Sequence, residues 1–182
     1  MNRNNPGKTF ETKTCSDAMN DLRLGAARRR LAESHNEEDA IEGLREIVAN
    51  LLGSEEIGLF RVDRESQTFP VCWSFGIDLE SYDLLQALGA AGLERVMRGE
   101  FHVDFAPRER SGGRAKAQAF IPIRVASQTI AILAILRLLP QKAAFDSHDM
   151  ELFQLLSDEA AKPLFGLSVQ WKPPAKGRGM RA

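Results

Sequence analysis

The chain has 182 residues, enough for one domain with tails, and its 43% hydrophobic and 27% charged residues are the balance of a packed globular protein. A net charge of −1 supplies no overall field to attract nucleic acid or an anionic membrane. The longest apolar run, Ile130 to Leu136, falls far short of the ~20 residues that cross a bilayer, and the opening MNRNNPGKTF lacks the apolar core of a secretory signal. These exclusions leave a cytoplasmic protein with no membrane contact and no specific nucleic-acid contact as the expectation.

Residues 1–16 are polar, aperiodic and carry Asn-Pro-Gly, and they read as a disordered leader. A helix is expected over 17–33, with Met19, Leu22 and Ala26 as a thin apolar stripe. Gly25 and the run Arg28-Arg29-Arg30 argue against deep burial of this helix. The main domain is expected over 34–170. It opens with a second helix capped by Asn36, whose first turn holds Glu37, Glu38 and Asp39. Ala40, Ile41, Leu44, Ile47, Val48, Leu51 and Leu52 recur at helical spacing, and Gly53 stops the helix.

EEIGLFRVDRE reads as a strand with Ile57 and Leu59 on one face and Phe60 and Val62 on the other. TFPVCWSFG reads as a second, with Phe69, Val71, Trp73 and Phe75 together. Residues 78–99 favour two short helices broken at Gly89 and Gly92. FHVDF is a short strand, and APRERSGGRAK after it is a basic, glycine-rich loop. AFIPIRVASQTIAILAIL then forms a strand pair. With Ser127 and Gln128 as turn residues, Ile121, Ile123, Ile130 and Ile132 share one face, and Phe120, Pro122, Ala131, Leu133 and Ile135 share the other. Both faces are apolar, so the pair must be covered on both sides. Pro122 cannot donate a ladder hydrogen bond and calls for a bulge or an unpaired edge. The closing helix follows Phe145, capped by Asp146, with Phe145 and Met150 as a hydrophobic staple and Pro163 ending or kinking it. Residues 171–182 read as a basic disordered tail.

Little in the sequence points to catalysis. No Gly-x-Ser-x-Gly turn and no phosphate-binding glycine fingerprint is present. Cys15 and Cys72 lie far apart without zinc-site spacing, and Cys72 reads as a buried small hydrophobe. His35, His102 and His148 are scattered, so no metal is expected; only His102 and Asp104 could share a strand face. Arg108, Arg110, Arg114 and Lys116 could hold an anion by charge-assisted hydrogen bonds, or could simply keep a loop soluble.

The order helix, strand, strand, helical insert, strand, basic loop, strand pair and closing helix resembles a GAF domain over residues 34–165. The local pieces that carry the resemblance are GLERVMRG from Gly92 to Gly99 followed by FHVDF, the AFIPI run from Ala119, and FDSHDMELFQLL from Phe145. The resemblance implies an α+β fold. A central antiparallel sheet of five or six strands would carry the N- and C-terminal helices on one face, with short helices and loops roofing a small-molecule pocket on the other. Its walls would include Trp73, Phe75, Leu85, Leu88, Phe101 and Phe120, with Arg108, Arg110 and Arg114 at the mouth. It also implies pairing through the first and last helices, here residues 17–33 and Ser147–Lys162, giving a homodimer.

Departures from the family narrow the ligand. Ala131 stands where many GAF domains have glycine. The signature of the cyclic-nucleotide-binding subset, Asn-Lys…Phe-x-x-x-Asp-Glu, keeps Lys142, Phe145 and Asp149, but Gln141 and Met150 replace its first and last members. Neither cysteine matches a bilin attachment site, and no haem is expected. The leading expectation is a non-enzymatic regulatory GAF domain that binds a small molecule of unknown identity and signals through its terminal helices to an unidentified signalling protein. The alternative is a degenerate GAF domain with a filled pocket, acting in dimerisation or protein interaction. A third is a small redox enzyme resting on Cys72, His102 and Asp104.

Overall fold

The computed structural model describes residues 15–80, 82–105 and 118–166. The leader up to residue 14, the basic loop with Arg108, Arg110, Arg114 and Lys116, and the tail lie outside the described residues.

Helix α1 (Cys15–Ala32) turns Asn20, Ala27 and Leu31 toward the body. This corrects the expected stripe: Met19, Leu22 and Ala26 face outward, because the buried row is offset from them by roughly a third to a half of the helix circumference. Helix α2 (Glu37–Ile47) begins as expected, with the Asn36 side chain accepting the Asp39 N–H at 2.8 Å. It runs into a π-helical turn, Val48–Leu52, and stops at Gly53, whose φ of 69° is left-handed.

The sheet comprises β1 (Ser54–Arg61), β2 (Val71–Phe75), β3 (His102–Val103), β4 (Ala119–Val125) and β5 (Gln128–Leu138). All neighbours are antiparallel, in the order β2-β1-β5-β4-β3. Between β2 and β3 lies α3 (Leu84–Met97), broken at Gly89 (φ 67°, ψ 165°) but continuous through Gly92. The chain closes with α4 (Ser147–Glu159) and the short α5 (Ala161–Phe165), which contains Pro163. Asp146 caps α4, and Asp149 completes a reciprocal capping box with it.

Both faces of the central strands are buried. On one, Ile57, Leu59, Ile121, Ile123, Leu133 and Ile135 pack with Leu44, Val48, Leu152, Phe153 and Leu156 from the helices. On the other, Phe60, Phe120, Ile132, Ala134 and Leu136 pack with Leu79, Leu84, Leu88 and Val96. The allocation of β5 corrects the expected one. The turn residues are Ala126 and Ser127, at φ 46° and 69°, and Val125 pairs with Gln128. A bulge between Ile123 and Arg124 then sets Ile123 opposite Ala131 and Ile121 opposite Leu133. A one-residue slip of a strand exchanges its faces, so Leu133 and Ile135 join Ile121 while Ile132 and Ala134 join Phe120.

Pro122 meets the constraint on it. β3 pairs only with Phe120 and Ala119, so among the described residues no strand flanks Pro122 on that side, and the Pro122 carbonyl accepts the buried Ser157 hydroxyl at 2.5 Å. The buried Thr129 hydroxyl donates to the Val96 carbonyl at 3.1 Å and fixes the end of α3 to β5.

Two non-glycine residues at positive φ make the β4–β5 turn a site for stabilisation. The double substitution Ala126→Asn with Ser127→Gly is expected to add about 1 kcal/mol. That raises the melting temperature by about 2–4 °C; a calorimetric scan showing a fall would contradict the turn assignment.

Candidate functional site

The second sheet face, where the resemblance implies a small-molecule pocket, carries a cluster of packed apolar side chains among the described residues. Gly58 lies in the middle of β1, between Ile57 and Leu59 of the helix-packed face, and turns its missing side chain toward the roof. A Cβ built on it would fall 2.2 Å from Cδ1 of Leu79, so Leu79 rests directly on bare backbone. Around it Phe60 meets the Tyr82 ring at 5.8 Å between centroids, and Phe120 meets His102 at 6.0 Å. Leu79, Phe60 and Phe120 are all at least 98% buried.

The six expected pocket walls do not line one cavity. Leu88 and Phe120 meet in the roof layer. Trp73 and Phe75 stack at 6.3 Å, but they sit opposite Leu59 and Ile57 and so belong to the helix-packed face. Arg45 of α2 lies over the Phe75 ring at 4.8 Å. Phe101 packs edge-on against Phe153 of α4 at 6.1 Å on that same face. Leu85 is half exposed. A bulge between Leu59 and Phe60 separates Phe69, which packs in the roof cluster, from Trp73, which was expected on the same face as Phe69.

Cys72 and His102 of the redox reading lie on strands at opposite edges of the sheet. Cys72 is exposed on edge strand β2, a correction to its expected burial. Desolvation by the surrounding protein raises its thiol above the usual range despite the opposing pull of Arg61, which makes it a poorer nucleophile at neutral pH. The His102 ring lies at a tilt of 59° to the Phe120 ring, and Asp104, past the end of β3, donates its N–H to the Gln118 carbonyl at 2.8 Å. Among the described residues no group of three or more His, Cys, Asp or Glu side chains is placed to hold a metal, and no helix is long and apolar enough to cross a membrane.

A second polar centre joins the terminal helices. Asp149 is fully buried; its carboxylate accepts from Arg23 of α1 at 2.5 Å, from Lys142 at 2.7 Å and from the Asp146 N–H at 2.9 Å. Arg23 also donates to the Leu51 carbonyl. The retained Lys142 and Asp149 of the incomplete signature thus form an ion pair, and Arg23 extends it to α1. Sequence reasoning had no signal for Arg23. On their outer sides the two terminal helices differ: α4 turns Glu151, Gln154 and Asp158 outward, while α1 exposes Met19 and Leu22.

No protein-family model matches the chain, and no curated protein matches it in sequence. Solved structures do match. The GAF domain of a phosphoenolpyruvate-protein phosphotransferase from Coxiella burnetii is 21% identical, with a TM-score of 0.57 over 82% of this chain and 95% of that one. The GAF domain of the corresponding Acinetobacter protein is 16% identical, with a TM-score of 0.54 over 81% and 93%. The GAF domain of the potassium sensor histidine kinase KdpD from Escherichia coli is 12% identical, with a TM-score of 0.52 over 80% and 92%. The chain has the GAF fold: an open five-stranded antiparallel sheet between a helical layer and a roof.

The contact between Gly58 and Leu79 can be tested alone. Gly58→Ala is expected to destabilise the fold by about 1–3 kcal/mol through overpacking. Leu79→Ala in the same chain should relieve much of that cost, giving a favourable coupling in a urea double-mutant cycle. Additive effects would place Leu79 elsewhere.

Proposed function

We propose that the chain is a non-catalytic regulatory module whose sheet is filled on its second face by its own side chains, and which acts by pairing with a second copy through its N-terminal helix. Of the two regulatory readings the sequence leaves open, this is the dimerisation and interaction module rather than the small-molecule sensor. The observation that carries it is the seating of Leu79 on Gly58 between Phe60 and Phe120. A ligand entering there would have to displace side chains whose burial contributes about 1.5–3 kcal/mol each. The exposed Met19 and Leu22 on α1 support pairing through that helix, and the fold shared with a domain of a potassium sensor histidine kinase supports a regulatory setting.

Thermal-shift measurement with cyclic nucleotides, cyclic dinucleotides and small carboxylates tests the reading. A ligand at 100 times its dissociation constant adds about 2.7 kcal/mol of stability, about 5–10 °C for a chain of this size. No shift is expected, together with a dimer in sedimentation equilibrium. A saturable rise of several degrees restores the sensor.

A further inference from the structure

Helix α1 lies on α2 and α4 by a narrow stripe edged with arginines. At 100° per residue, Ala27, Asn20, Leu31 and Leu24 span about 60° of its circumference, with Arg23 and Arg30 beyond one edge and Arg28 beyond the other. Each of these arginines reaches a carboxylate of the body: Arg23 meets Asp149 at 2.5 Å, Arg30 meets Glu46 at 2.5 Å and Arg28 meets Glu159 at 2.8 Å. The apolar part of the contact is small. Leu31 is the one large apolar side chain among the buried residues of this 18-residue helix; the others are Ala27 and Asn20.

Asn20 is a poor fit for its place. It is 6% exposed, and its side-chain oxygen has no hydrogen-bond partner among the described residues. A buried acceptor left unpaired opposes docking, because water satisfies it in the undocked helix. A hollow of about 350 Å³ beside it, bordered by Cys15, Met19 and His148, leaves room for a different side chain. Departure of α1 would leave the body in order: Asp149 keeps Lys142 at 2.7 Å and the Asp146 N–H at 2.9 Å, and α2, α4 and the strands still pack on one another.

We propose that α1 is the displaceable resident of a helix-binding groove on α2 and α4, and that its competitor is an amphipathic helix of another protein, arginine-edged like α1 but apolar where α1 has Asn20. The carboxylates of Asp149, Glu46 and Glu159 select the arginines. A second copy of this chain brings the same Asn20, and the tethered α1 outcompetes an identical helix through its local concentration. Met19 and Leu22 face away from the groove, so this docking is independent of pairing through them.

The probe is a labelled peptide of residues 15–33 carrying Asn20→Leu, with Met19→Gln and Leu22→Gln to remove the outward apolar pair. In fluorescence anisotropy with the full wild-type chain it should bind at least about tenfold tighter than the same peptide with Asn20 kept, and Arg23→Glu in the peptide should abolish binding. Asn20→Leu in the chain itself should raise its melting temperature and shut the probe out. Amide exchange in the wild-type chain should be faster through α1 than through α4 and β5. Equal binding of the two peptides, no binding by the Asn20→Leu peptide, or binding that survives Arg23→Glu overturns the proposal. So do α1 amides as well protected as those of β5.

Discussion

Asp149→Ala lowers the stability of the fold by about 3 kcal/mol, which appears as a fall of about 6–12 °C in melting temperature. The carboxylate is fully buried and balances two cations, Arg23 and Lys142, whose side chains are 19% and 21% exposed. Removing it leaves like charges facing each other with water reaching them only in part, and uncaps the reciprocal pair at the start of α4. Asp149→Asn keeps an acceptor for Arg23 and for the Asp146 N–H but loses the charge, so it should fall between wild type and Asp149→Ala. Urea unfolding with an unchanged m-value checks the ranking. An Asp149→Ala variant within 0.5 kcal/mol of wild type, a margin set by ordinary surface substitutions, would show that the cluster does not tie α1 to the body.

Leu79→Ala is expected to cost about 2–5 kcal/mol, the range for removing a buried leucine and leaving the space. Its place on Gly58 makes the upper half of that range the expectation: the floor beneath it is sheet backbone, and backbone cannot collapse to fill the gap. The same variant should gain a site. An apolar cavity stays dry and admits benzene, so benzene should raise the melting temperature of Leu79→Ala and leave wild type unmoved. If wild type also responds, the roof already contains space.

Much of the fold is legible in the sequence because several local signals agree. Asn36, three acidic residues and Gly53 delimit α2 by chemistry that acts within a few residues, and Asp146 with Phe145 does the same for α4. The two apolar faces of the β4–β5 ribbon require two covering layers, and both are present. That same property hides the register. With apolar residues on each side, a slip by one residue costs the pattern nothing, and the turn carries Ala126-Ser127 at positive φ where an Asn-Gly pair would have marked it.

The site was less legible for a related reason. Trp73, Phe75 and Phe101 are aromatic and belong to strands, but which face each takes is set by bulges and strand ends that involve residues on neighbouring strands. Leu79 is a lone leucine in a polar turn, with no period to mark it. The one local signal was Gly58 itself, since an isolated glycine inside a strand pattern announces close approach of another group. It does not say which.

The closure of the second sheet face is tested most directly by nuclear Overhauser contacts from the Leu79 methyl groups in a methyl-labelled sample. The expected result is strong transfer to the Gly58 α-protons and the Phe60 ring, unchanged by any added nucleotide or carboxylate. Leu79 methyls with solvent-like shifts and no transfer to Gly58 would contradict it, and would mean that this face is open to a guest.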